Sequence, residues 1–417
     1  MAEPLSTGAD HPPDLSPIPA LRHNPDFLWL WTGQTASALG SSLAIIVYPI
    51  LALSLTGSAA LAGLVSFLGL SVATVARLPV GVLIDRWPLR PVLVWSDLVR
   101  AATTAALVLA LVIGRLSLAQ LVITAVVNGV AGVFSSGAQS VALRHVVAPE
   151  QLPRAFALGD GRSHAVSLVG QPAGGYLYGV LPALPLIADA VSYALSAVLA
   201  RLIRRPLADA GRAHPVPKLR HDLFTGLRHL WHDSFLKATL LYAAGVQFVA
   251  GGLTLALIAA MTADGVTAGQ LGTLFAIAAA GGIAGAIATP RLQIRLSPAA
   301  LVIAMGWVSA LAYAAMAWVH DPVVAGLALA LVYFSVAPAD AMLSAAQVHR
   351  TPQPLQGRVF AASSLVAGII APLGPLTGGL LIDHTGQAAT FSILAAVLAA
   401  LTTGVQLNRA LRTLSLP

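Results

Sequence analysis

Seven charged side chains stand inside stretches that are otherwise apolar: Asp97, Asp160, Asp189 and Asp340, with Arg77, Arg100 and Arg162. Asp97 and Arg100 are spaced one helical turn apart, so each can neutralise the other. Asp160 and His164 share a helical face while Arg162 points away, an arrangement suited to anchoring at a membrane surface. Asp189 and Asp340 differ, because neither has a Lys or Arg within one helical turn of sequence. A carboxylate withdrawn from water resists ionisation, the property a group needs to take up and release protons. These two are the proton-coupling candidates, although Asp189 also fits a simple contact with lipid headgroups. Arg77 could neutralise Asp97 or bind an anion.

Catalytic chemistry has no such footing. The chain has no cysteine, which removes thiolate nucleophiles, thiolate metal sites and disulfides. It has no HExxH, no nucleophile–base set and no GxxxxGK[ST] loop. An enzyme and direct ATP hydrolysis are therefore not expected, nor is a metal or other cofactor. Energy is expected from a proton gradient, with sodium as the alternative.

Composition indicates which elements carry these residues. The 417 residues are 57% hydrophobic and 9% charged, against about 25% charged in ordinary soluble proteins. So few charges could not cover a soluble globule, and a bilayer becomes the natural solvent. Twelve apolar runs fall at roughly 27–53, 59–83, 92–113, 117–141, 155–180, 184–203, 235–261, 267–289, 298–319, 322–346, 359–382 and 387–407. Each can cross ~30 Å of hydrocarbon as a helix, and their continuity argues against a barrel. Gly57, Gly114, Asp264, Asp321 and Gly386 mark tight turns. The expected fold class is all-α integral membrane, with twelve transmembrane helices. Residues 1–26, polar and Pro-rich, read as a disordered cytoplasmic tail. The first run is too long for the apolar core of a signal peptide.

Basic residues orient the spans. With the N-terminus inside, nineteen of the twenty-three Lys and Arg fall at inner ends and only Arg115 outside. The positive-inside rule then predicts both termini in the cytoplasm. An Ala-rich, Lys-poor composition suggests a high-GC bacterium, and the location expected is its inner membrane. The formal charge of +7 thus reports topology, and no nucleic-acid partner is expected. The one long inner loop, 204–234, separates bundles at 27–203 and 235–407, followed by a cytoplasmic tail at 408–417. Within the loop, Leu219, Leu223, Leu227 and Leu230 share one helical face, which predicts an amphipathic helix at the membrane surface. The halves echo each other at an offset of 204: RAFA at 154–157 meets RVFA at 358–361, and Gly174-Gly175 meets Gly378-Gly379.

One inner turn, GVLIDRWPLR at 81–90, concentrates charge between apolar runs two and three. Its bland reading is helix capping and headgroup anchoring. It is also similar to the loop motif between spans two and three of the major facilitator superfamily, with Gly81, Asp85, Arg86 and Arg90 matching. Pro88 replaces the second glycine of that motif and Leu89 one basic residue. NPDFLWLWTGQTASALGSSL (24–43) resembles the first-span signature of a prokaryotic exporter branch that includes siderophore and macrolide exporters. WSDLVRA (95–101) resembles that branch's third span, through Asp97 and Arg100. GQPAGG (170–175) and GPLTGG (374–379) resemble the antiporter motif of span five, the second copy more closely than the first. Gly170, Gly174, Gly175, Gly374, Gly378 and Gly379 are accordingly expected at close helix contacts.

The resemblance implies two six-helix bundles rocking about a central site. It also implies a conformational latch in which Asp85 faces the N-terminal end of span eleven, near Gly357–Val359, while the cavity faces out. Arg86, Arg90 and the Asp97–Arg100 pair would support it. In such an architecture spans one, four, seven and ten line the cavity. Polar residues in these spans fall at helical spacings: Gln34 and Ser37, Asn128 and Gln139, Gln247 and Thr254, Asp340 and Ser344. Interhelical hydrogen bonding is the competing role for them. Neutral polar groups among Leu, Val and Phe suit a small amphipathic substrate. The function expected is proton-coupled export by a monomer, and the alternative is a facilitator importer or uniporter of the same fold.

Overall fold

Caps and prolines decide where the helices start and break. In the computed structural model, which describes residues 21–207 and 219–408, the chain forms α1 (Pro25–Ala44), α2 (Val47–Thr56), α3 (Ala59–Ile84), α4 (Leu89–Val112), α5 (Leu118–Val146), α6 (Leu152–Val180) and α7 (Leu184–Leu202). A short α8 (Leu219–His232) follows, then α9 (Ser234–Ala263), α10 (Ala268–Arg295), α11 (Pro298–Ala315), α12 (Pro322–Arg350), α13 (Gln353–Ile370) and α14 (Leu373–Leu407). Ser117 with Gln120 and Thr267 with Gln270 build reciprocal capping boxes, and Asp233 and Asp321 each accept two backbone N–H groups at a helix start. Such caps satisfy donors that a helix leaves unpaired. Gly57, Gly114, Gly265 and Gly386 all adopt positive φ, which suits glycine and ends one helix before the next begins.

Ten stretches among the described residues are long and apolar enough to cross a membrane; adding α6 and dividing the last stretch at Gly386 gives twelve spans, in two bundles of six. The first span is α1 with α2, interrupted at Ile45–Ile46 because Pro49 cannot donate to the Ile45 carbonyl. The eleventh is α13 with the first part of α14, and the twelfth follows the kink at Gly386. Its break has the same origin: Pro372 cannot donate to the Gly368 carbonyl. The Thr74 hydroxyl of α3 donates to that oxygen instead, at 2.9 Å. A proline in one half thus creates an acceptor that the other half satisfies. The eleventh span also starts at Gln353, ahead of its apolar run, because an N-terminal turn tolerates polar residues.

The cores reveal the state of the molecule. At the end that carries few arginines, one continuous apolar core joins both halves, with Ile46, Leu51 and Leu107 packed in the same cluster as Leu257, Phe275 and Phe391. At the arginine-rich end each half keeps a core of its own, around Phe27 and Leu93 in one and around Phe235 and Leu301 in the other. The halves are therefore sealed at the arginine-poor end and part at the opposite one. Their seams are α6 against α10 and α3 against α14. Backbones meet there: a Cβ on Gly175 would lie 2.6 Å from the Gly272 Cα, and one on Gly379 would strike the Ala59 carbonyl. Gly170 and Gly174 press on Ser42 and Leu43 of α1, while Gly374 and Gly378 press on Phe248 and Gly252 of α9. Close small-residue contact is what lets apolar helices associate in lipid. The α8 helix packs on α13 and sets Leu227 and Leu230 into the core of the second bundle. Residues 1–20, 208–218 and 409–417, which include most of both terminal tails, lie outside the described residues.

Candidate functional site

Polar side chains inside the first bundle pair with one another, and a network centres on Arg100. Arg100 of α4 donates to Ser37 (3.2 Å) and Ser41 (3.0 Å) of α1 and to the Tyr193 hydroxyl of α7 (2.7 Å). Its guanidinium also lies 3.5 Å from the Asp97 carboxylate. Asp97, 1% exposed, accepts from Ser135 of α5 at 2.9 Å, and Gln139 donates to Ser135. Asp97 is thus met by Arg100 and Ser135 and not by Arg77, which stands at the seam near Gly368. Asn128 accepts from Thr103 and donates to Tyr48 and Thr104. Ser37 and Asn128 therefore spend side-chain hydrogen bonds between helices, while Gln139 bonds within α5. Gln34 accepts from Arg162 of α6 at 2.6 Å, so Arg162 reaches α1 while Asp160 and His164 are exposed on the other face.

This network holds α1, α4, α5 and α7 in register. Removing one partner of a buried ion pair costs about 3–5 kcal/mol, because the other charge is left without compensation. Arg100→Met is therefore expected to unfold at a clearly lower temperature in detergent than the wild type. Adding Asp97→Asn should restore part of the loss, since the orphaned charge is then gone. Equal unfolding temperatures for R100M and wild type would remove the network's structural role.

The two lone carboxylates occupy unlike places. Asp189 of α7 is 1% exposed, and its Oδ1 has no hydrogen-bond partner among the described residues. It backs onto Gly40 of α1, where a Cβ would fall 2.9 Å from the Asp189 Cα. That burial removes the headgroup contact considered for it. Asp340 of α12 is exposed and lines a cavity with Gln247 and Thr254 of α9. Ser344, one turn further along α12, is exposed as well.

The gates differ at the two ends. Asp85 caps α3 and is exposed at the arginine-rich end, as are Gly81 and Arg86. Arg90 ties the turn to the end of α7 by donating to the Ile203 and Arg205 carbonyls. The start of α13 packs on α8, with Gly226 against the Arg358 carbonyl. At the arginine-poor end a carboxylate missed in the sequence closes the seam. Asp383 of α14 accepts from the Ser58 hydroxyl (2.7 Å), the Ala59 N–H (3.0 Å) and the Ala60 N–H (2.9 Å), capping the N-terminus of α3 across the two halves. A signal was available, because Asp383, like Asp189 and Asp340, has no Lys or Arg within one turn of sequence. Thr74, another cross-half donor, carried no signal because a lone Thr in an apolar run is commonplace.

Residues 30–375 match the family model described as Major Facilitator Superfamily. The chain is 27% identical over 388 residues to the multidrug efflux pump Tap of Mycolicibacterium fortuitum, covering 89% of this chain and 92% of that protein. Among solved structures it resembles a bacterial homologue of the iron transporter ferroportin in an inward-facing state, with a TM-score of 0.68 at 17% identity over 93% of this chain and 98% of that one. It also resembles the nucleoside transporter NupG, with a TM-score of 0.69 at 12% identity over 94% of this chain and 100% of that one. At such identities the structural likeness concerns the fold alone.

Proposed function

The chain belongs to the major facilitator superfamily, and from that premise we propose that it exports amphipathic small molecules in exchange for protons by alternating access. Members of this family are transporters, not enzymes. The observation that carries the reading is the asymmetry of the halves, sealed at the arginine-poor end and parted at the arginine-rich end. By the positive-inside rule the arginine-rich end is cytoplasmic, so the cleft faces the cytoplasm, both termini are cytoplasmic, and the membrane is a bacterial inner membrane. The direction of transport is supported by the multidrug efflux pump relative. Sparse neutral polar groups beside apolar ones, Gln247, Thr254 and Ser344 among them, suit an amphipathic solute better than a sugar or a polyanion. The unit of transport is a monomer.

Opening outward requires the cytoplasmic end to close. Asp85 then meets the N-terminal end of α13, which begins at Gln353, one turn ahead of the expected Gly357–Val359, and a helix N-terminus stabilises a carboxylate by ~0.3–1 kcal/mol. Gly81, Arg86 and Arg90 shape that turn, and the Asp97–Arg100 pair braces the helix behind it. Asp189 is the carboxylate that exchanges the proton.

Everted membrane vesicles test the proposal. With the lumen acidified, a fluorescent amphipathic dye is expected to accumulate, and an ionophore that collapses the pH gradient should release it. An importer or uniporter predicts dye movement that ignores the gradient, and that result would overturn proton-coupled export.

A further inference from the structure

Close packing on one side of α12 leaves a cavity on the other. The glycines of α10 let α12 approach backbone to backbone, with Gly281 against the Ala330 carbonyl and Gly285 against the Phe334 carbonyl. Between α12, α9 and α11 remains a cavity of about 180 Å³, lined by Tyr242, Gln247, Thr254, Tyr313, Tyr333 and Asp340 among others. Whole drug-sized ligands occupy roughly 300–1,000 Å³, so this space holds one end of a molecule rather than all of it. Its chemistry is also one-sided. Three tyrosines, neutral amide and hydroxyl groups and one carboxylate line it among apolar side chains, and Asp340 has neither an ion pair nor a hydrogen bond from a side chain among the described residues.

A carboxylate in a membrane protein's interior is costly without a partner. Asp97 has Arg100 and Ser135, and Asp383 has three donors. Asp340 is instead exposed and lines this cavity, where a solute can reach it. Aromatic faces attract organic cations as well, so the wall and the charge favour the same ligand.

We propose that the cavity between α9, α11 and α12 is a subsite for the cationic end of the transported molecule, with Asp340 as its counter-ion and the tyrosines as its wall. This rests on the exporter reading and divides the two lone carboxylates between tasks: Asp189 carries the proton, and Asp340 selects positively charged amphipathic substrates. The apolar remainder of the substrate extends into the central cleft.

Equilibrium binding to the purified protein in detergent tests the subsite without any gradient. The probes are a dansyl fluorophore ending in trimethylammonium and its uncharged tert-butyl isostere, which differ in charge at nearly constant shape. Wild type is expected to prefer the cation. Asp340→Asn should weaken the cation by about tenfold or more, as loss of one partner of a desolvated charge pair does, and leave the isostere unchanged. Asp340→Glu should keep most of the preference. Retained isostere binding shows that D340N is folded. Equal affinity of wild type for both probes, no binding of the cation by wild type, or unchanged cation affinity in D340N would overturn the subsite. So would loss of both probes in D340N while D340E binds both without preference. The exporter reading fails separately, by dye movement in vesicles that ignores the pH gradient.

Discussion

Vesicles carrying Asp189→Asn are expected to bind the dye and let it equilibrate, yet never concentrate it. Asparagine keeps the shape of the side chain but has no proton to exchange. The site selects for this function through burial. Asp189 is 1% exposed behind Gly40, its Oδ1 has no hydrogen-bond partner among the described residues, and its polar neighbours are Tyr193 and Arg100. A charge in such a place costs roughly 2.5–3.5 kcal/mol on insertion scales, so the group gains when it can trade its proton with an aqueous path. Tyr193 and Arg100 also belong to the network that fixes α1 against α4 and α7, so a change of charge at Asp189 is felt by the helix that lines the cleft. If one proton is exchanged per singly charged cation, no net charge moves and each pH unit supports about a tenfold concentration ratio, the equivalent of 1.36 kcal/mol. The variant should hold a ratio near one at any imposed gradient. Undiminished accumulation in D189N would move the coupling site elsewhere.

Which of the two lone carboxylates is buried could not be read from their surroundings in sequence. Both stand in apolar helices without a nearby cation, and only the packing of α7 on α1 hides Asp189 while the α9–α11–α12 cavity leaves Asp340 open. What depends on local pattern was legible: the apolar runs, the turn glycines and the sidedness of the arginines. Contacts across hundreds of residues were not. Ser37 and Asn128 stood out as polar residues at helical spacing, but their partners Arg100 and Tyr48 follow from the relative rotation of helices, whereas Gln139 meets Ser135 one turn away on its own helix. The breaks in spans one and eleven had a visible cause in Pro49 and Pro372. Their consequence, the Thr74 bond to Gly368, needed the other half in place. The glycine pairs of spans five and eleven were visible as a motif, whereas the division of their contacts, Gly175 and Gly379 between halves and the others within one, emerges only from the assembled bundles.

Removing the Asp383 carboxylate is expected to open the outer seam. In the present state Asp383 holds the first turn of α3 by three hydrogen bonds, two from backbone N–H groups that the helix itself leaves unpaired. The interaction joins span eleven of one half to span two of the other, and rocking the halves must break it. It therefore stabilises only the state that is closed at this end. The site is exposed, so screening by water limits each contribution: ~0.3–1 kcal/mol for a carboxylate at a helix N-terminus, and somewhat more for the charged hydrogen bonds. A loss of about 1–2 kcal/mol in Asp383→Ala shifts the ratio of outward-open to inward-open molecules roughly 5–30-fold. The chain's lack of cysteine makes this measurable. Leu255→Cys introduces a single thiol that is buried beside Gly63 in the sealed seam, and its labelling by an impermeant maleimide from outside reports opening. Labelling should rise by that factor in D383A. Asp383→Asn, which keeps an acceptor but no charge, should fall between, and Ser58→Ala should move it least because two backbone donors remain. The complementary position, Asp85 at the opposite end of the same α3, predicts the reverse sign: D85A should lower the same labelling, because the inward-closed state loses its own carboxylate-to-helix contact. Opposite shifts from two aspartates at opposite ends of one pair of spans are what alternating capture of helix N-termini requires. Unchanged labelling in D383A would reduce its contact to an ordinary surface cap.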